Sequence, residues 1–116
     1  MKGKRHMQGI CEAIGEIDSS SAPTFRAAMR SAIDQAADRD VIVNCQAVSF
    51  MESSAFHALA EAHTYAIEHG HQLVIANLQP NCARVVRMCD IAGELMIDES
   101  IADDAPLRAS AGSANK

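Results

Sequence analysis

The 116-residue chain has no tryptophan, one tyrosine and three phenylalanines, so aromatic residues make up only 3% of it. Four rings give no stacking platform for bases, and a net charge of −5 gives no field that gathers phosphates. Nucleic-acid binding is therefore excluded as the expected role. No apolar run approaches the roughly 18 residues that span a bilayer. Behind the basic start Met1-Lys-Gly-Lys-Arg-His there is no apolar stretch of the kind a signal peptide needs. The four cysteines, Cys11, Cys45, Cys82 and Cys89, include no Cys-x-x-Cys pair. Each sits among apolar neighbours, so they are expected as reduced, buried small hydrophobes in a cytoplasmic protein.

What is present suits one small globular domain. Hydrophobic residues make up 48% of the chain and charged residues 22%. A chain of this size buries about two-thirds of its unfolded surface, enough for a core without a metal or disulfide staple. With so few aromatics that core should be aliphatic, with Met29, Met51, Met88 and Met96 among its filling.

Apolar periodicity orders the chain as alternating strands and helices. Gln8 to Ile17, with Ile10, Ala13, Ile14 and Ile17, reads as a strand. Ser19-Ser-Ser21 and Pro23 then supply Ser capping and a Pro just inside a helix start. Phe25, Ala28, Met29, Ala32, Ile33 and Ala36 make one stripe on that helix, with Arg26, Arg30, Asp34 and Asp38 on its other side. Val41 to Val48 is β-branched and nearly continuous, as in a strand covered on both faces or central in a sheet. A second helix follows Ser53-Ser54, with a stripe of Phe56, Leu59, Ala60, His63, Ala66 and Ile67 and a stop at Gly70. Gln72 to Asn77 reads as a strand. Pro80-Asn81 opens a helix carrying Val85, Val86, Cys89 and Ile91 and ending at Gly93, and Leu95 to Ile97 as a short last strand. Ser100 to Leu107 is a candidate final helical turn. The expected organisation is a flexible basic N-terminus over 1–8, an α/β domain over 9–107 and a flexible C-terminal tail over 108–116. Strands alternating with helices predict a mostly parallel or mixed sheet of four to five strands with helices packed on it.

Chemistry concentrates in Phe50-Met-Glu-Ser-Ser-Ala-Phe-His57, where a strand gives way to a helix. Unpaired N–H groups and the helix dipole favour negative charge at such a point. Ser53 or Ser54 can simply cap the helix, or a phosphate on one of them can act as a switch by adding about −1.5 to −2 charges.

Gly15-Glu-Ile-Asp18, Val41 through Ser54, and Pro80 followed by Val85 through Gly93 together resemble the STAS domain of anti-sigma factor antagonists. The resemblance runs from Ile10 to Ile97. It implies a non-enzymatic module that binds an anti-sigma factor acting also as a Ser/Thr kinase. Phosphorylation at Ser53, with Ser54 as the alternative, would release that partner and so regulate sigma-factor-dependent transcription. Asp18, Glu52, Ser54, Ala55, Phe56 and His57 would form the partner-facing surface. Glu52 stands where the family has Asp, Ala55 where it has Gly and His57 where a second small residue is usual. These departures motivate the alternative of a constitutive STAS subunit, such as one docked on the ATPase of a lipid transporter. The segment before Gly15 is shorter than the family usually carries, which implies an exposed sheet edge and pairing into a homodimer.

No other constellation is complete. His57 and Glu61 are four apart on a helix and His69-Gly-His71 straddles a helix end, but a third metal ligand is missing, so no metal or cofactor is expected. No Gly-x-Ser-x-Gly elbow frames Ser53 and no Gly-rich phosphate loop is present, so no catalytic residue is assigned.

Overall fold

In the computed structural model the described residues are 9–98, arranged as four strands alternating with three helices. These are β1 (Gly9–Ile17), α1 (Ala22–Gln35), β2 (Asp40–Met51), α2 (Ser53–Glu68), β3 (Gln72–Ala76), α3 (Pro80–Cys89) and β4 (Met96–Asp98). The expected N-terminus over 1–8, the helical turn from Ser100 and the tail over 108–116 lie outside the described residues.

The strands pair in the order β1-β2-β3-β4, and every pairing is parallel. Parallel neighbours need a crossover, and right-handed crossovers that all step the same way deliver every helix to one face. One core cluster accordingly joins Phe25, Met29 and Ile33 of α1, Leu59 of α2 and Val86 of α3 to Val41, Val43, Cys45, Leu73 and Ile75 of the sheet. β2 is an inner strand, but it is covered on one face only: Val41, Val43 and Cys45 are buried, whereas Gln46 and Ala47 are exposed. The monotone strand order puts all three helices of the described residues on one face.

Topology also decides which apolar residues are buried. In β1 the small Cys11 and Ala13 face the helices with Ile17, while Ile10 and Ile14 point to the open face. In α1 the buried positions are Ala22, Phe25, Met29 and Ile33, and Ala28 is exposed. α2 differs more from the expected stripe. Ala55, Ala58, Leu59, Ala62 and Ala66 face the core, Phe56, Ala60 and His63 are half-buried, and Ile67 is exposed. α2 packs against α1, α3 and β3 together, and small side chains allow that close approach. α3 buries Cys82, Ala83 and Val86 and ends at Cys89, so Ile91 lies beyond it in a turn and is exposed.

Helix ends follow local chemistry. Gly70, at φ +82°, ends α2: the N–H of His71 reaches Ala66 O at 2.8 Å and that of Gly70 reaches Ile67 O at 3.2 Å, a Schellman closure. Pro23 and Pro80 sit in the first turns of α1 and α3, where a missing N–H costs nothing. Ser21 holds the N-cap position of α1, but its hydroxyl does not cap. It donates to Glu16 O at 2.9 Å and accepts from the N–H of Asp18 at 3.0 Å.

All four cysteines are free thiols; Cys11, Cys45 and Cys82 are buried and Cys89 is half-buried. Burial first, and the nearby Cys82 and Cys11 second, push the Cys45 thiol up to about 12. Cys11 and Cys82 are raised as well, chiefly by burial. The unfolded chain therefore ionises Cys45 from about pH 9 while the folded chain keeps it protonated. Between that point and about pH 12, Cys45 should remove about 1.4 kcal/mol of stability per pH unit, and Cys11 and Cys82 act in the same direction. Urea unfolding followed from pH 7 to pH 10.5 should show this loss, and Cys45→Ala should flatten it.

Candidate functional site

The start of α2 stands at the C-terminal end of an inner strand. Glu52 is its N-cap residue, with extended backbone (φ −104°, ψ 176°), and neither its side chain nor a serine hydroxyl caps the helix. Ser53 and Ser54 are thus the first two helical residues rather than caps. The N–H of Glu52 donates to Ile17 O at 3.0 Å, and Ile17 and Met51 are register partners. The end of β1 is thereby tied to the beginning of α2, bringing Asp18 and Glu52 to the same end of the sheet.

Two adjacent serines have opposite surroundings. Ser53 is exposed. Ser54 is half-buried, and its Oγ is shielded from solvent without a hydrogen-bond partner. At the first turn of a helix, the exposed Ser53 hydroxyl is the one that an enzyme can reach, and the N–H groups and dipole there favour the anion that phosphorylation makes.

The remaining expected surface residues divide. Glu52 and His57 are exposed and Phe56 is half-buried, with the Phe56 and His57 rings edge-on at 5.7 Å. Ala55 is fully buried and faces the core, so its side chain does not belong to the surface. Asp18 is occupied within its own turn. Its Oδ1 accepts from Ser20 Oγ at 2.7 Å and from the N–H groups of Ser20 and Ser21 at 3.0 and 3.1 Å. The Ser20 hydroxyl first, and the Ser21 N–H next, hold this carboxyl below the usual carboxylate range. These bonds hold the turn that follows β1. Phe50, 43% exposed, pairs in register with Glu16.

Other polar clusters lie away from this end of the sheet. Glu61 is committed to Arg26, with Oε1 2.8 Å from Nε. Tyr65 donates to Asp34 at 2.6 Å, and the Arg30 guanidinium lies 4.2 Å from its ring centre. These contacts fasten α1 to α2, and sequence spacing alone did not single them out. Among the described residues no group of three or more His, Cys, Asp or Glu could hold a metal ion, and no helix is long and apolar enough to cross a membrane.

Four parallel strands alternating with three helices, with a serine-bearing helix start at the end of an inner strand, define a small α/β domain. The profile of the STAS domain family matches residues 2–104, and the chain belongs to that family. Solved structures share the fold. The anti-sigma factor antagonist SpoIIAA in its unphosphorylated form aligns at 22% identity and a TM-score of 0.61, over 78% of each chain. A Thermotoga maritima protein assigned provisionally as an anti-sigma factor antagonist aligns at 10% identity and a TM-score of 0.65, over 83% of this chain and 84% of that one. The Bacillus cell-fate determinant SpoIIAA in its phosphorylated form aligns at 21% identity and a TM-score of 0.55, over 85% and 89%.

Proposed function

We propose that this STAS domain is an anti-sigma factor antagonist that binds an anti-sigma factor kinase through the start of α2 and is switched off by phosphate on Ser53. The observation that carries the reading is the contrast within one dipeptide: Ser53 is exposed, while the Ser54 hydroxyl is shielded. SpoIIAA, which shares the fold, has been solved in both phosphorylated and unphosphorylated forms. The mechanism is local. A phosphate at the first turn of α2 is tolerated by the helix dipole, so the domain stays folded. A partner surface packed over Ser53, Phe56 and His57 would have to desolvate that charge, and the interface is lost. Glu52 adds a second negative charge next to the phosphate and steepens the change. The domain acts here as a ligand of the kinase and its substrate, not as an enzyme.

Incubation with ATP and the anti-sigma kinases of its own genome, followed by phosphopeptide mapping, tests this reading. Phosphate is expected on Ser53 and not on Ser54. A chain that gains no phosphate at either serine and binds no such kinase would end this reading. Capture of a transporter ATPase instead would establish the constitutive subunit.

A further inference from the structure

Two of the four methionines expected in the core are outside it: Met88 is 72% exposed and Met96 42%. Neither borders the depression of about 520 Å³ that opens between α1 and α2, where polar side chains gather instead. Arg26 and Arg30 line it from α1, and Glu61, Thr64, Tyr65 and Glu68 line it from α2. Arg26 and Glu61 neutralise each other at 2.8 Å. Tyr65 is fixed by three contacts. Its hydroxyl donates to Asp34 at 2.6 Å, its ring centre lies 4.0 Å from that of His69, and the Arg30 guanidinium sits over the ring at 4.2 Å.

Two opposite charges in this lining are left unspent. A guanidinium stacked on a ring keeps its N–H donors in its own plane, where a carboxylate can take two of them at once. Among the described residues Arg30 has no ion pair. Asp34, four residues further along α1, gives its Oδ1 to Tyr65. The Glu68 side chain has neither an ion pair nor a hydrogen bond among the described residues, and the Thr64 hydroxyl has no hydrogen bond. The charges in and beside the depression are thus Arg26 and Arg30 against Asp34, Glu61 and Glu68. A simple anion meets three carboxylates there, and a simple cation meets two guanidiniums. A ligand that carries both signs satisfies Arg30 and Glu68 together.

We infer that the depression between α1 and α2 binds a small zwitterion with a carboxylate and a primary ammonium group, the chemistry of a free amino acid. The ligand carboxylate accepts from the in-plane N–H groups of Arg30, and its ammonium donates to the Glu68 carboxylate and the Thr64 hydroxyl. Tyr65 and the guanidinium stacked on it are in place before the ligand arrives, so little order is lost on binding. The site lies on the second half of α2, about three to four turns from Ser53, and is independent of the Ser53 reading.

Backbone-amide NMR of the full chain, titrated to about 50 mM with glycine, β-alanine or γ-aminobutyrate, tests the inference. The three probes differ in the spacing of their two charges. Acetate and methylammonium, with one charge each, are the controls. At least one zwitterion should give saturable shifts centred on Arg30 and on Thr64 to Glu68, with a dissociation constant of about 0.1–10 mM. Both controls should bind at least about tenfold more weakly. Arg30→Gln and Glu68→Gln should each weaken the zwitterion about tenfold or more. Thermal melts verify that each variant is folded. Glu68 is exposed and its side chain has no partner to lose, so Glu68→Gln stays informative even where Arg30→Gln loosens Tyr65. The inference is overturned if no zwitterion gives saturable shifts at these residues, if a control matches it, or if its affinity survives Glu68→Gln.

Discussion

Ser53→Asp should weaken binding to the anti-sigma partner by about a hundredfold or more without lowering the melting temperature. A negative charge forced against a packed, desolvated surface costs several kcal/mol, and about 2.7 kcal/mol corresponds to a hundredfold. The same charge at the first turn of α2 lies where the helix dipole favours it by about 0.3–1 kcal/mol, against which the neighbouring Glu52 acts. Fold and binding therefore respond differently, which separates a switch from simple unfolding. Ser53→Ala should bind within about threefold of the original chain and should no longer be released by kinase and ATP. The paired serine provides the contrast. The Ser54 hydroxyl is shielded and unpartnered, so Ser54→Ala should leave binding unchanged and stability equal or slightly higher. Calorimetry or surface plasmon resonance on the four proteins decides the matter. Equal affinity for Ser53→Asp and the original chain would refute the switch.

Leu59→Ala should cost about 3–4 kcal/mol of folding stability, the largest loss expected from a single truncation in α2. Leu59 is fully buried and is the one large side chain on the inner face of α2, the rest being alanines. Ala55, Ala58, Ala62 and Ala66 cannot extend into the vacated volume, so the cavity stays open. Against a total of about 5–15 kcal/mol this is a large fraction, and the melting temperature should fall by about 10–15 °C. Urea unfolding should shift its midpoint at constant slope. Ala60→Ser, on the same helix but half-buried, should change stability by less than about 1 kcal/mol.

The α2 stripe also marks where sequence reading reached its limit. Alanine is apolar enough for either side of a helix, so the periodicity follows the larger Phe56, His63 and Ile67, whereas close packing selects the alanines. β1 misled in a related way, because Ile10 and Ile14 have the size of core residues and the smaller Cys11 and Ala13 are inside. No window of a few residues contains the strand order that decides this. What local chemistry does specify was legible: Pro at two helix starts, Gly70 at a helix end, β-branched residues in β2, and a strand-to-helix turn at Glu52. The turn at Asp18 was only partly so. Its position beside α2 followed from the family resemblance, whereas its hydrogen bonds to Ser20 and Ser21 depend on a backbone path that spacing does not reveal.

The hydrogen bond from Glu52 to Ile17, and the parallel register that sets it up, bear on the order in which the chain folds. Among the described residues no strand is joined to its neighbour by a hairpin, and side chains paired across the sheet, such as Glu12 with Asn44 and Asn44 with Asn77, are 32 and 33 residues apart. Such long closures slow folding relative to helical bundles of similar size. They also make assembly vectorial on a ribosome, because β1 and β2 can pair only after α1 has emerged between them. The exposed serine, its helix and the bond that anchors them all belong to residues 9–69. The serine-bearing end of the domain can therefore be in place while α3 and β4 are still being synthesised.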